Sequence, residues 1–138
     1  MPTSSDSSSP ITPAAAELFE AAFGPLFDAV MITNANLDEA ALKVVYVNEA
    51  FERVTGWTFE AIQEAGPQVL QGADTESAVT DRLRADLDAG RPFAGSTINY
   101  RRDGSPFQME WSVSLFEISE SDSYYITVQR DVSEFDGS

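Results

Sequence analysis

Gln108-Met109-Glu110-Trp111-Ser112-Val113-Ser114-Leu115 alternates polar and apolar side chains without a break. Successive residues of a strand point to opposite faces, so Met109, Trp111, Val113 and Leu115 share one side and Gln108, Glu110, Ser112 and Ser114 the other. One side is built for burial. Two further strand-like stretches flank this one, about Gly95 to Arg102 and Tyr124 to Asp131. The joints are Arg102-Asp103-Gly104 and the polar run Ser119 to Ser123, so the last third of the chain reads as an antiparallel meander centred on Phe107 to Phe116. Alternation sets Ile98 and Tyr100 against Thr97 and Asn99, and Ile126 and Val128 against Tyr125, Thr127 and Gln129.

Working toward the amino terminus, a helix from about Thr75 should end at Gly90 and Pro92, with Thr80, Leu83, Arg84 and Leu87 on one stripe. Before it, Asn48 and Thr58 are capping residues for two short helices that end at Gly56 and Gly66. Val30 to Thr33 and Lys43 to Val47 read as two strands able to pair. Thr12-Pro13 opens a helix whose apolar residues Ala15, Leu18, Phe19, Ala22, Phe23 and Leu26 recur at helical spacing. Residues 1–11 bury too little to offset ordering and read as a disordered tail, 12–27 as an amphipathic helix, 28–134 as the folded domain and 135–138 as a second tail. Two strands, several helices, then three strands give an α+β domain: one five-stranded antiparallel sheet packed by helices.

Composition narrows the chemistry. The chain has neither cysteine nor histidine, which removes thiol nucleophiles, disulfides, the usual zinc sites and imidazole acid–base catalysis. No carboxylate pair sits in a recognisable motif, so an enzyme is not expected. A formal charge of −15, with Lys43 the only lysine, opposes nucleic acid and anionic membranes as partners. The same imbalance suits a saline, halophilic cytosol, where screening shortens the reach of acidic repulsion. No apolar run spans a bilayer and no secretory leader opens the chain, so the expected location is cytoplasmic.

If helices cover the sheet face bearing Asn99, Trp111 and Gln129, two carboxamides lie in an apolar hollow and need partners. The edge of a flavin or purine would satisfy both their donors and acceptors, with Trp111 and Leu70 against the ring. On alternation alone the plainer reading has more weight: Asn99 and Gln129 face solvent or bond each other. Ile98, Tyr100, Ile126 and Val128 would form an apolar strip on the other face, covered by the Phe19 helix or by a second subunit.

Val44-Val45-Tyr46-Val47-Asn48-Glu49-Ala50-Phe51, Val54-Thr55-Gly56-Trp57, Leu70-Gln71-Gly72, Asn99-Tyr100-Arg101-Arg102-Asp103-Gly104 and Val128-Gln129-Arg130-Asp131-Val132 occur in this order. From Val30 to Glu134 the chain thereby resembles the LOV branch of the PAS superfamily. The resemblance implies FMN as cofactor, with FAD or riboflavin as alternatives. It puts Leu70 at the ring, Gln71 and Arg84 near the ribityl chain and phosphate, and Asn99 and Gln129 at the pyrimidine edge. Thr33 and Trp111 complete the implied pocket. Where the family motif reads Asn-Cys-Arg-Phe-Leu-Gln, this chain has Gly66-Pro67-Gln68-Val69-Leu70-Gln71. Pro67 thus replaces the photoreactive cysteine and Gln68 a phosphate arginine. Met109 stands for a second asparagine, and Thr127 for a glycine.

The resemblance therefore implies a light or redox sensor that forms no cysteinyl adduct. Its flavin would be photoreduced by Trp57, Tyr46, Tyr100, Trp111 or Tyr125, and Gln129 would rotate in response. The alternative is a PAS interaction module that holds no flavin. Expected partners are the flavin, a second copy through the outer sheet face and amino-terminal helix, and a downstream protein that the sequence does not identify.

Overall fold

The computed structural model describes residues 11–35, 42–119 and 122–132. Helix α1 (Pro13–Phe23) starts where the Thr12 side chain accepts from the Ala15 N–H at 3.1 Å, with Pro13 in the first turn. Strands β1 (Ala29–Asn34) and β2 (Val44–Val47) follow, then α2 (Glu49–Thr55) and α3 (Phe59–Ala65). The side chains of Asn48 and Thr58 cap α2 and α3, and α2 ends on the left-handed Gly56. A 3-10 turn (Pro67–Leu70) and α4 (Ser77–Asp88) lead to β3 (Phe93–Tyr100), β4 (Pro106–Ser119) and β5 (Asp122–Asp131).

The strands form one sheet in the order β2-β1-β5-β4-β3, with antiparallel pairing throughout. This is the expected α+β architecture. Its central ladders are longer than the sequence suggested: β4 and β5 extend the hairpin to the pair Ser119↔Asp122, where a polar loop from Ser119 to Ser123 was expected. Backbone pairing continues there because it needs no apolar side chains. β3 begins at Phe93, two residues before the expected Gly95, since Phe93 pairs with Val113 and is buried.

Both faces of the sheet carry a core. On the outer face α1 brings Ala15 and Phe19 onto Val30, Ile32, Val45 and Tyr124, and the Phe19 ring meets Tyr124 edge-on at 5.2 Å. A register shift after Ile32 leaves Val45 as an extra residue in β2, so that Val45 and Tyr46 both pack on the outer cluster while Val44 and Val47 pack on the inner one. On the inner face α2 and α3 pack Phe51 and Ile62 against Ala29, Met31, Val44 and Leu70. Beyond them Phe93, Phe107, Met109, Trp111 and Val113 form a third cluster, against which α4 leans with Val79, Leu83 and Leu87.

Two expectations fail here. The apolar stripe of α1 is narrower than its spacing implied: Leu18, Ala22 and Leu26 are exposed, because a helix lying flat on a sheet buries one row of side chains. Nor is there a continuous outer strip from Ile98 to Val128. Ile126 and Val128 pack beside the α1 cluster, but β4 lies between them and β3 and presents Gln108, Glu110, Ser112 and Ser114 outward. Tyr100 instead turns over the β3 edge, where its hydroxyl accepts from the Asp74 N–H at 2.9 Å.

Candidate functional site

Between the inner face of β1, β5, β4 and β3 and the wall made by the 3-10 turn and α4 lies a cavity of about 500 Å³. That is within the range of small-molecule sites. Thr33, Gln68, Leu70, Gln71, Arg84, Asn99, Met109, Trp111 and Gln129 all line it. The strand register explains the grouping: Trp111 pairs with Gln129 and Thr97 with Met109, so odd-numbered residues of neighbouring strands point the same way.

Asn99 and Gln129 are 5% and 2% exposed, which overturns the reading of them as solvent-facing residues. They are not bonded to each other either. Asn99 Nδ2 lies 3.3 Å from Met109 Sδ, a weak acceptor, and Gln129 Oε1 is buried with no hydrogen-bond partner among the described residues. Leaving such an oxygen dry costs about 1–3 kcal/mol. Thr127, where the resembled family has glycine, also faces the cavity and is buried.

The opposite wall is less tightly built. Pro67 opens the 3-10 turn and lines the cavity together with Gln68, whose Nε2 donates to the Ala65 carbonyl at 3.0 Å. Helix α4 contains no fully buried residue and no side-chain cap. It is held by the Glu76 N–H donating to Thr97 Oγ1 at 2.9 Å and by Arg82, which donates to the Ala94 carbonyl and stacks over Phe93. The Thr80, Leu83, Arg84 and Leu87 stripe read from the sequence faces the cavity.

Of the five aromatic residues considered as electron donors, Trp111 and Tyr125 line the cavity. Burial, and then the Asp88 carboxylate, hold the Tyr125 phenol above the ordinary tyrosine value. Tyr46 faces the outer side of the sheet, where it donates to Glu20 Oε1 at 3.1 Å, Tyr100 covers the β3 edge, and Trp57 packs beside α2 with Arg102 over its ring. Sequence reasoning missed Asp81, which shares the α4 wall with Arg84. Its position three residues earlier on one helical face was the available signal.

These residues fit a flavin. The sheet supplies two buried carboxamides, one with an orphaned oxygen, beside an indole and a leucine. The helical wall supplies a guanidinium. A planar heterocycle with donors and acceptors along one edge answers the first set, and a polar tail the second.

With a ligand-sized hollow between one antiparallel sheet and short helices, the chain belongs to the PAS domain family, whose profile matches residues 28–134. Within that family it is similar to LOV domains, and its sequence contains no cysteine. The LOV domain of a blue-light-activated histidine kinase from Erythrobacter litoralis superposes with a TM-score of 0.70 at 26% identity, covering 78% of this chain and 98% of that one. By sequence, blue-light-activated histidine kinase 1 of Erythrobacter litoralis is 44% identical over 64 residues, which is 46% of this chain and 18% of that protein. Phototropin-2 of rice, Oryza sativa subsp. japonica, is 36% identical over 64 residues, 46% of this chain and 7% of that protein. The chain thus spans under a fifth of the length of either relative. An RNA-binding light-oxygen-voltage receptor superposes with a TM-score of 0.73 over 90% of this chain and 35% of that one, but at 23% identity this speaks for the fold alone.

Proposed function

We propose that this domain binds a flavin in the cavity and senses blue light or redox state without a cysteinyl adduct. The observation that carries the reading is the orphaned Gln129 Oε1, buried beside Trp111 in the cavity that Asn99 also lines, where a ring N–H would satisfy it. A bound flavin would supply blue absorption and a ring nitrogen that gains a proton on photoreduction. Asn99 and Gln129 hold the pyrimidine edge, Leu70 and Trp111 pack the ring, and Gln71 and Arg84 face the tail. Trp111 and Tyr125 stand in the wall as donors of the electron. Gln129, with one acceptor and one donor end, answers a ring nitrogen that turns from acceptor to donor by rotating its amide.

The strand geometry supports an output route. Gln129 lies opposite Ala29, the first residue of β1, and the next residue, Arg130, reaches the Asp28 carboxylate at 3.3 Å where α1 leads into β1. A turn of the Gln129 amide is therefore one residue from the joint that seats α1. Colour is the test. Purified protein, or apoprotein given FMN or riboflavin, should show a structured blue absorption band that bleaches under light with added reductant; a colourless protein that binds neither flavin refutes the reading.

A second reading keeps the fold and drops the flavin: an interaction module that pairs through α1. It draws support from the exposed Leu18, Leu26 and Phe27, the last 90% exposed, and from Met109 Sδ already facing Asn99. Sedimentation of the flavin-free chain decides it, since a monomer at high concentration removes the module's proposed contact. A cytoplasmic setting and adaptation of the acidic surface to salt belong to the same proposal.

A further inference from the structure

We propose that Asp81 sets the tail selectivity of this site, favouring a flavin with an uncharged tail over one that ends in phosphate. The inference rests on the flavin reading and concerns the end of the ligand away from the carboxamides. Among the described residues, the sheet side of the cavity contributes no charge: it presents Met31, Thr33, Asn99, Trp111, Thr127 and Gln129 and their apolar or hydroxyl neighbours. The formal charges among the described lining residues are two, Asp81 and Arg84, and both come from α4. A ligand anchored by its ring to the amides must meet its counter-charge, if it has one, on that helix.

Arg84 alone would attract a phosphate. Residues three apart on a helix are neighbours, however, so Asp81 sets a carboxylate on the same wall one turn before the guanidinium. The two charges cancel for a group placed between them. Asp88, close enough to Tyr125 to raise its phenol pKa, adds a further carboxylate at the same helix, and Gln68 brings none of the compensating positive charge. The remaining field is that of a chain carrying −15, which repels a dianion at every distance that salt leaves unscreened. A phosphate carries about −1.5 to −2 at neutral pH and is repelled by each of these carboxylates, whereas a ribityl alcohol has no net charge to be repelled. The ribityl hydroxyls can still bond to Gln71 and Arg84.

The test measures the affinities of riboflavin and FMN separately, by quenching of flavin fluorescence on titration with apoprotein. At low ionic strength the unaltered protein should bind riboflavin at least as tightly as FMN. Asp81→Asn should then tighten FMN by about tenfold while leaving riboflavin within about twofold, as expected for removing one charge about 6 Å from a dianion in water-like surroundings. Glu49→Gln changes the net charge equally, but on α2, which does not line the cavity; it should leave the ratio of affinities unchanged. A readout that needs no variant is salt: raising ionic strength should improve FMN relative to riboflavin. If FMN binds more tightly than riboflavin at low salt and Asp81→Asn leaves the ratio where it was, the inference is wrong while the flavin reading stands. If neither flavin binds, both fall.

Discussion

Gln129 has its backbone fixed on both sides, opposite Ala29 of β1 and Trp111 of β4, while its side-chain oxygen has nothing to bond among the described residues. Such a group is poised to answer a ligand without moving its strand. Gln129→Leu preserves volume and removes the amide, so it should leave the fold and flavin binding largely intact and suppress the light-induced structural change. Difference spectra of the amide vibrations, or hydrogen exchange in α1 with and without light, would check this; an unaltered response argues that another residue relays the signal. Asn48 is the counterpart, a carboxamide with every valence used. Its Oδ1 accepts from Val30 and Phe51 N–H at 2.9 Å each, and its Nδ2 donates to the carbonyls of Phe23 and Asp28 at 2.9 and 3.0 Å. Asn48→Ala removes a cap and strands buried backbone groups, so unfolding in urea should show a loss of about 2–4 kcal/mol. Asn48→Asp keeps the acceptor and loses the donors, and should fall between. The capping role of Asn48 was readable from the sequence because it is local. Its bonds to Phe23 and Asp28 cross 25 and 20 residues and follow only from how α1 meets β1. Alternation likewise placed Asn99 and Gln129 on one face but could not say which face the helices cover, and that depends on the chirality of the whole sheet.

Helix α1 shows what periodicity does and does not reveal about an element. Its start at Thr12 and its aromatic anchor Phe19 were legible, because capping and spacing are written into neighbouring residues. The exposure of Leu18 and Leu26 was not, since the width of a buried stripe depends on the surface beneath it. The same helix carries a titratable latch. The Tyr46 hydroxyl donates to Glu20 Oε1 at 3.1 Å, and burial followed by that carboxylate holds its pKa well above the ordinary 10.0. The unfolded chain releases this proton first, so the stabilisation is complete below pH 10.0 and drains away as pH rises beyond it, toward the raised folded value. Urea midpoints should therefore fall on going from about pH 9 to pH 11, the range in which an unperturbed phenol ionises, with α1 the first element to lose hydrogen-exchange protection. Tyr46→Phe should reduce that fall. Any slope that survives is assigned to Tyr125, whose pKa is also raised, first by burial and then by Asp88. A midpoint that is level across this range would show that Glu20 and Tyr46 contribute nothing to holding the helix.

At the scale of the molecule, charge sets the behaviour: 23 acidic residues face 8 basic ones. Several of those basic residues are already committed to local bonds. Arg101 pairs with Asp131 while stacking over Phe107 and donating to the Val54 carbonyl, Arg130 pairs with Asp28, and Arg91 with Asp86. Of these pairs Arg91–Asp86 alone involves a helix, the end of α4, so the surface carboxylates of α2 and α3 keep their surplus. Folding brings those carboxylates closer together than the unfolded chain holds them, so their repulsion opposes the fold, and added ions remove it. The screening length falls from about 30 Å at 0.01 M to about 3 Å at 1 M, from the width of the domain to the width of one contact. The melting temperature in sodium chloride should consequently rise steeply over that interval, with most of the gain below about 0.3 M if screening alone is responsible. Continued stabilisation above 1 M would point to adaptation to a saline interior. Sulfate must be kept out of the comparison, because it stabilises most folded proteins by exclusion from their surface. Replacing the exposed Glu49, Glu60 and Glu64 together with glutamine provides the internal control: it removes charge without touching the core and should shift the low-salt melting temperature upward while leaving the high-salt value nearly unchanged. A melting temperature that does not respond to chloride, in either protein, would mean that the acidic surface imposes no cost on this fold, and the proposed adaptation to salt would lose its physical basis.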